Sequence, residues 1–185
     1  MNEADGESAV RRALAEAERL DLAAYAAIAA CPTPTLDVFM SRLSRAADYS
    51  KLHLTAAALL AAAFGREGRE AAWRGLASTA TTAAVLNLFL KRVGRRRPDR
   101  AAVPLARQVR MPRSTSFPSG HAAAAFAFST AVGHRLPRVA IPLHAMAALV
   151  AYSRVHTGVH YPADAIAGAV VGTALGQVSA AAAGR

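Results

Sequence analysis

The sequence predicts an all-α integral membrane protein, in which a bundle of about five transmembrane helices follows amphipathic helices at the membrane interface. Five nearly uncharged runs, each near the length of a membrane span or extendable to it, occupy residues 52–64, 75–90, 117–133, 139–153 and 165–184. Apolar types make up 54% of the 185 residues, charged types only 18%, and alanine alone supplies 48. The first 50 residues are instead amphipathic, so we expect residues 1–50 to lie at the membrane surface and residues 51–185 to form one transmembrane domain.

The N-terminal segment predicts two helices that lie against a surface. The first 21 residues are polar and mixed in charge, which excludes the apolar region of a signal peptide and predicts that they remain in the mature protein. A helix over residues 8–30 has an uncharged part of only ten residues, too short to cross a bilayer, and Pro32 and Pro34 end it. A second helix over residues 36–49 places four apolar side chains on one side: Leu36, Phe39, Met40 and Leu43.

The apolar runs that follow differ in length and pattern. The first must borrow residues from around Ala47 onward to span, and it carries His53. The last has Gly168, Gly172 and Gly176 on one face, a spacing that lets two helices approach closely in lipid and that leaves association with a second copy open. A soluble alanine-rich bundle is the alternative, but five such runs leave almost no helix with a polar outer face.

The charge balance points to an anionic partner. Twenty-two Lys and Arg against 12 Asp and Glu give a net charge of +10, which suits nucleic acid, lipid headgroups or phosphorylated substrates. Nine of these cations lie between residues 91 and 116, the one long connection between apolar runs. The single cysteine, Cys31, excludes an intrachain disulfide and any multi-cysteine metal site.

Three segments carry the chemistry. The first is the basic stretch from Lys91 to Arg97 and its following proline. In the second, Ser119 is placed as the N-cap of an alanine-rich helix, so that the free amides around Gly120 and His121 form an anion site. In the third, residues 153–164, Asp164 follows His160 by four residues and can accept a hydrogen bond from one ring nitrogen while the other stays a nucleophile.

Two histidines, a carboxylate, at least three cations and a helix N-terminus are the groups that phosphoryl transfer through a phosphohistidine needs. The three segments resemble the signature motifs of the phosphatidic acid phosphatase type 2 superfamily, membrane lipid phosphatases related to the vanadium haloperoxidases; the match spans residues 91–164. The resemblance implies that His160 is the nucleophile, Asp164 its orienting partner and His121 the general acid, with no metal or other cofactor. It also implies a set of phosphate ligands: Lys91, Arg97, Ser119, Gly120 and Arg154.

One spacing departs from the family pattern, because five residues instead of six separate Lys91 from Arg97. Either the helix end is rewound there, or Arg92, Arg95 or Arg96 takes part of the role of Lys91. A metal site on His156, His160 and Asp164 is a weaker alternative, because it needs a continuous helix and Gly158 and Pro162 interrupt one.

The function predicted is removal of phosphate from a membrane lipid. The small size and the Arg/Ala-rich composition resemble short actinobacterial members of the family, which implies a prenyl-linked phosphate such as decaprenylphosphoryl-5-phosphoribose in cell-wall arabinan synthesis. Phosphatidylglycerol phosphate, phosphatidate and undecaprenyl pyrophosphate are alternatives within the family. A nucleic-acid-binding protein or a membrane scaffold without activity would leave the histidine pair unexplained. With five spans, 16 cations lie on the side of the site and 6 on the other, which predicts a multi-pass protein of the cell membrane whose site faces the cytoplasm.

Overall fold

In the computed structural model, which describes residues 3–90 and 94–182, seven α-helices follow one another and the described residues contain no β-strand. The helices are α1 (Glu3–Ala30), α2 (Pro34–Ala46), α3 (Lys51–Ala63), α4 (Gly65–Leu88), α5 (Gly120–Arg135), α6 (Ala140–His156) and α7 (Pro162–Ala182). Short 3-10 turns lie at Asp48–Ser50, Leu105–Arg107 and Pro137–Val139. The all-α prediction is confirmed for this part of the chain.

The helix α5 lies at the centre of the bundle, in contact with α4, α6 and α7. Its alanines Ala122, Ala123 and Ala127 are fully buried, and small side chains let the neighbouring helices come close. At Gly172 of α7, an added Cβ would lie 2.1 Å from the carbonyl oxygen of Ala123, so α7 and α5 are in close backbone contact there.

The glycines of α7 that were predicted to allow close helix packing do so within the chain. Gly168, Gly172 and Gly176 are all buried against α5. Because α5 covers this stripe, it is not open to a second copy, and the structure gives no support to an oligomer formed through these three glycines.

Apolar side chains cover the outside of the bundle. On α7, Ile166, Val170 and Val178 are each about two thirds exposed, at 65%, 64% and 65%. Ile141 on α6 and Trp73 on α4 are exposed to a greater extent still. A soluble bundle would place polar side chains there, so the exposed faces argue against the soluble alternative.

The helices differ in whether they are long enough to cross a bilayer. Within the described residues, only α7 is by itself both long enough and apolar enough to cross a membrane. Taken together, α1 and α2 meet the same criteria as one broken span, with a bend of 115° between them. With 13, 16 and 17 residues, α3, α5 and α6 are about 20, 24 and 26 Å long, against a hydrocarbon core of about 30 Å. The positive φ angles of Tyr49 and Ser50, both 57°, interrupt the helix, so α3 does not gain residues from Ala47 onward. The arrangement of five spans remains a prediction.

The second helix, α2, turns a partly polar face to the bundle. Met40 and Leu43 are buried, whereas Phe39 is half exposed, so the predicted apolar side is divided between the core and the outside. Asp37 lies on the buried face, where it accepts a hydrogen bond of 2.7 Å from Nε of the fully buried Arg107. The same guanidinium donates to carbonyl oxygens at the C-terminal end of α1 and just beyond it, and this contact fixes the bend between α1 and α2.

Candidate active site

The segments 94–119 and 154–164 meet at one end of the bundle, as predicted from their motifs. Arg97 contacts His160, His160 lies beside Asp164, and Asp164 is hydrogen-bonded to Ser119 at the start of α5. His121 is joined through Asp48 to Arg154. Lys91 lies outside the described residues, so its role stays a prediction.

The turn between α6 and α7 buries His160. Gly158 has a φ of 72°, which glycine adopts without strain, and it turns the chain so that His160 is only 1% exposed. The ring nitrogen Nδ1 lies 3.5 Å from Oδ2 of Asp164, and Nε2 lies 3.2 Å from Nη1 of Arg97. Burial lowers the pKa of the imidazole from 6.5 to about 4, so the ring is neutral at neutral pH. With its proton on Nδ1, beside the carboxylate, the ring has its lone pair on Nε2, where it accepts a hydrogen bond from Arg97 and can attack an electrophile once that bond is released.

The carboxylate of Asp164 is held through both oxygens. Oδ2 accepts hydrogen bonds from the amide of Tyr161, at 2.9 Å, and from the hydroxyl of Ser116. Oδ1 accepts one from Nη1 of Arg95, at 2.8 Å. Arg95 is therefore bonded to this carboxylate, and the suggestion that Arg92, Arg95 or Arg96 takes part of the role of Lys91 stays a prediction. The sequence analysis also missed Ser116, which no spacing rule marks.

Two arginines lie near His160, and one of them has donors without a partner. The Arg97 guanidinium donates to the carbonyl oxygens of Ser114, Thr115 and Val159, which holds it beside His160. Arg154 is 1% exposed and donates from Nη1 to the Ser44 hydroxyl, yet its Nε and Nη2 are buried with no hydrogen-bond partner among the described residues. Buried donors without a partner are costly, and this adjacent pair matches two oxygens of one phosphate.

The N-terminus of α5 is built as predicted. The Ser119 hydroxyl accepts a hydrogen bond from the amide of Ala122, so Ser119 is the N-cap and Gly120 begins the helix. The Ser119 amide donates to the backbone carbonyl of Asp164 at 2.9 Å, which ties this helix end to α7. The positive end of the helix dipole therefore lies next to the histidine and carboxylate pair.

The second histidine has a partner that the sequence analysis missed. Nε2 of His121 lies 2.9 Å from Oδ1 of Asp48, which also lies 3.6 Å from Nη1 of Arg154. Asp48 precedes the two residues of positive φ, and that irregular backbone turns its side chain toward the site. The hydrogen bond with His121 is the main cause that holds the pKa of Asp48 below its usual range. Its sequence context, the end of a predicted surface helix, gave no signal for this contact.

An apolar cavity of about 300 Å³ adjoins His121. It lies between α3, α4, α5 and α6, and Gly120 and His121 form part of its wall. The remaining lining is mostly apolar, including Leu86, Phe128 and Leu143. The cavity can therefore hold an apolar chain attached to a group that reaches His121.

The metal alternative does not fit the geometry. The helix α6 ends at His156, and α7 begins only at Pro162, so the three side chains proposed for it do not share a helix face. His156 instead lies with Nε2 2.9 Å from Oδ1 of Asp37. Within residues 3–90 and 94–182, no group of three or more His, Cys, Asp or Glu side chains is placed to hold a metal ion.

Comparison with known proteins shows the family of the chain. The family profile described as PAP2 superfamily matches residues 71–184. Decaprenylphosphoryl-5-phosphoribose phosphatase of Mycobacterium tuberculosis is 37% identical over 130 residues, which are 68% of each chain. A lipid A 1-phosphatase of Porphyromonas gingivalis is 32% identical over 124 residues, or 62% of this chain and 25% of that protein.

Solved structures show the same fold. A transmembrane PAP2 type phosphatidylglycerolphosphate phosphatase from Bacillus subtilis superposes with a TM-score of 0.72 at 24% identity, over 91% of this chain and 87% of that one. LpxE of Aquifex aeolicus superposes with a TM-score of 0.68 at 26% identity, over 86% and 94%. The similarity extends over the N-terminal helices as well as over the bundle.

Proposed function

This chain belongs to the PAP2 superfamily and is a membrane phosphatase that hydrolyses phosphoric monoesters, and we propose that it acts on a lipid phosphate through a phosphohistidine formed on His160. The observation that carries the proposal is the setting of His160. Its buried neutral ring has Asp164 on one nitrogen and Arg97 on the other, and Arg154 nearby has two free donors. This is the arrangement that attack on a phosphate ester requires.

In the first step, Nε2 of His160 attacks phosphorus as the bond from phosphorus to the lipid oxygen breaks. His121 gives its proton to that departing oxygen, so the lipid leaves as an alcohol. Asp164 accepts the hydrogen bond from Nδ1 and stabilises the positive charge that the ring gains. Arg97, Arg154, Ser119 and the Gly120 amide hold the remaining phosphate oxygens, together with Lys91.

In the second step, water attacks phosphorus and His121 takes the proton that the water loses. The bond from phosphorus to Nε2 of His160 breaks, and inorganic phosphate leaves. The Asp48 carboxylate contacts Nε2 of His121 in the absence of substrate, and the lipid oxygen takes its place when the substrate binds.

The mechanism is tested by His160→Ala, His121→Ala and Asp164→Asn, with His134→Ala as a control near the C-terminal end of α5. The two catalytic histidine variants should lose at least about a hundredfold in phosphate release, the low end for an acid or base catalyst. With an aryl phosphate, whose leaving group departs without a general acid, a phosphoenzyme should be trapped in His121→Ala and be missing from His160→Ala. Substantial activity in His160→Ala would contradict the mechanism.

We propose that the substrate carries a prenyl chain, with decaprenylphosphoryl-5-phosphoribose as the leading candidate and cell-wall arabinan precursor synthesis as the setting. The cavity beside His121 supports a lipid leaving group, and the relative from Mycobacterium tuberculosis, whose name gives this substrate, supports the prenyl class. The test is a panel of prenyl phosphosugars, phosphatidylglycerol phosphate, phosphatidate and undecaprenyl pyrophosphate. In the same panel, Ala124→Leu, which reduces the cavity, should raise KM for long-chain substrates and leave a water-soluble aryl phosphate unaffected. Faster hydrolysis of a diacyl lipid would contradict the prenyl assignment.

We propose that residues 1–50 lie at the membrane interface, that residues 51–185 span it about five times, and that the site faces the cytoplasm of a cell membrane. The excess of cations on the side of the site supports this orientation, since 13 remain against 6 when Lys91, Arg97 and Arg154 are set aside as phosphate ligands. Leu105, which is 85% exposed in the loop at the site, is suited to cysteine labelling in a Cys31→Ser background. An impermeant maleimide should label Leu105→Cys only after permeabilisation. Labelling of intact cells would place the site outside.

A further inference from the structure

The N-terminal helix α1 lies outside residues 71–184, the part that matches the family, yet it brings a carboxylate to the active site. Residues 6–20 of α1 are exposed, whereas Asp21 is only 8% exposed. Tyr25 and Ala29, at intervals of four residues, are buried on the same side of the helix and form a buried stripe with Asp21. A charge at the start of a buried stripe is costly unless it is paired. The partners of Asp21 therefore show what this part of α1 does.

Asp21 contacts the beginning of α7 and the basic loop at once. Oδ1 accepts a hydrogen bond of 2.7 Å from the amide of Ala163, next to Asp164 in the chain. Oδ2 accepts one of 2.6 Å from Nη2 of Arg95. The other terminal nitrogen of Arg95, Nη1, donates to Oδ1 of Asp164. One guanidinium thus joins the carboxylate of α1 to that of the active site.

Aromatic rings hold this arginine in place. Its guanidinium carbon lies 4.2 Å from the centre of the Tyr161 ring, a cation–π geometry. The Tyr161 ring in turn packs edge to face against Tyr25 of α1, with the centres 5.3 Å apart. The hydroxyl of Tyr25 donates to the carbonyl of Asp99, which fastens α1 to the loop that carries Arg95.

We propose that Asp21 and Arg95 are positioning residues for Asp164, so that the helix at the N-terminus completes the catalytic unit. The inference rests on the proposed role of Asp164. The only hydrogen bond to Oδ1 of Asp164 among the described residues comes from Arg95, and it turns Oδ2 toward Nδ1 of His160. Without Asp21, Arg95 loses its second anchor and the amide of Ala163 loses its acceptor. Without Arg95, two buried carboxylates face each other with no cation between them.

The experiment compares Asp21→Asn and Arg95→Gln with matched controls that remove the same charge from exposed positions, Glu18→Gln on α1 and Arg110→Gln on the loop. Asp21→Asn and Arg95→Gln should lower kcat by about tenfold or more and change KM by less than about twofold. Mutation of residues that orient the ligands of a catalytic metal has an effect of this size. The controls should keep the parent kcat. Arg95→Lys keeps the charge but cannot bond to both carboxylates, so it should have a kcat between those of the parent and Arg95→Gln. If Arg95→Gln does not fold, Arg95→Lys still tests the inference.

Coupling to Asp164 separates positioning from a general loss of structure. In an Asp164→Asn background, Asp21→Asn and Arg95→Gln should cause no further loss of kcat, because the group through which they act is already disabled. Equal losses in both backgrounds would overturn the inference, as would full activity of both variants in the parent chain. If Asp164→Asn itself keeps the parent kcat, Asp164 does not orient His160 and this inference fails, while the phosphohistidine on His160 is tested separately by His160→Ala.

Discussion

Replacing Gly172 with alanine tests how closely α7 must approach α5 for the site to work. The added Cβ would lie 2.1 Å from the carbonyl oxygen of Ala123 and 2.8 Å from its carbonyl and α carbons. All three are backbone atoms of the first turn of α5, so no side chain can rotate away. Reaching an ordinary contact of 3.4 Å requires that the helices separate by about 1.3 Å.

That separation acts directly on the catalytic groups, because α5 begins at Gly120 and His121 while α7 carries Asp164 two turns before Gly172. An overpacked core costs about 1–3 kcal/mol, so the free energy of unfolding should fall by about 2 kcal/mol. A misplacement of about 1 Å between reacting groups can cost about a hundredfold in rate, so kcat should fall by a similar factor.

The assay measures phosphate release and thermal unfolding in the same detergent. Gly6→Ala is the control, because Gly6 lies in α1 and a Cβ there meets nothing within 4 Å. The control should match the parent in both measurements. If Gly172→Ala keeps the parent kcat and unfolding temperature, the close approach of α5 and α7 is not what positions the two helix ends, and the argument is refuted.

Three further predictions concern single side chains. Burial lowers the pKa of His160 to about 4, so kcat/KM, corrected for ionisation of the substrate phosphate, should stay constant as the pH falls through 6.5 and be lost only near 4. A loss of kcat/KM near 6.5 that is caused by protonation of His160 would contradict this. Asp48→Asn removes a negative charge beside His121, so vanadate should inhibit this variant at lower concentration than the parent, and equal inhibition would show that Asp48 does not compete with the phosphate. Arg107→Gln leaves Asp37 buried without its cation and should lower the free energy of unfolding by about 3–5 kcal/mol, measured by denaturation in detergent, whereas a change under 1 kcal/mol would contradict the role given to this ion pair.

Within each motif, the parts of the site that the sequence predicts are built from neighbours in the chain, and the resemblance to a known family is what predicts that the motifs meet. His160 and Asp164 are four residues apart, and Ser119 caps the helix that begins at the next residue, so spacing and local chemistry are enough to place them. The contacts that were missed join distant segments. Asp48 is 73 residues from His121, and Asp21 is 142 from Ala163, and no local rule relates such positions.

The fold shows the same division. Amphipathic patterns and apolar runs located all seven described helices, but the apolar run of α4 begins only at residue 75, whereas the helix begins at Gly65. The charged residues between 65 and 75 are helical as well, and Arg66 and Glu70, one turn apart, form an ion pair that stabilises this part of the helix. The break at Tyr49 and Ser50 could not be predicted either, since neither residue type favours a positive φ.

The cavity beside His121 has a consequence for how the enzyme would meet its substrate. In the proposed mechanism the apolar chain stays between the helices while only the phosphate reaches the arginines. The two products therefore enter different phases, because the lipid alcohol diffuses laterally in the bilayer and the phosphate enters water. The reaction rate then depends on the mole fraction of substrate within the bilayer and not on its amount per volume of solution. Diluting the lipid phosphate with inert phospholipid at constant bulk concentration should slow turnover, as two-dimensional encounter becomes the limiting event.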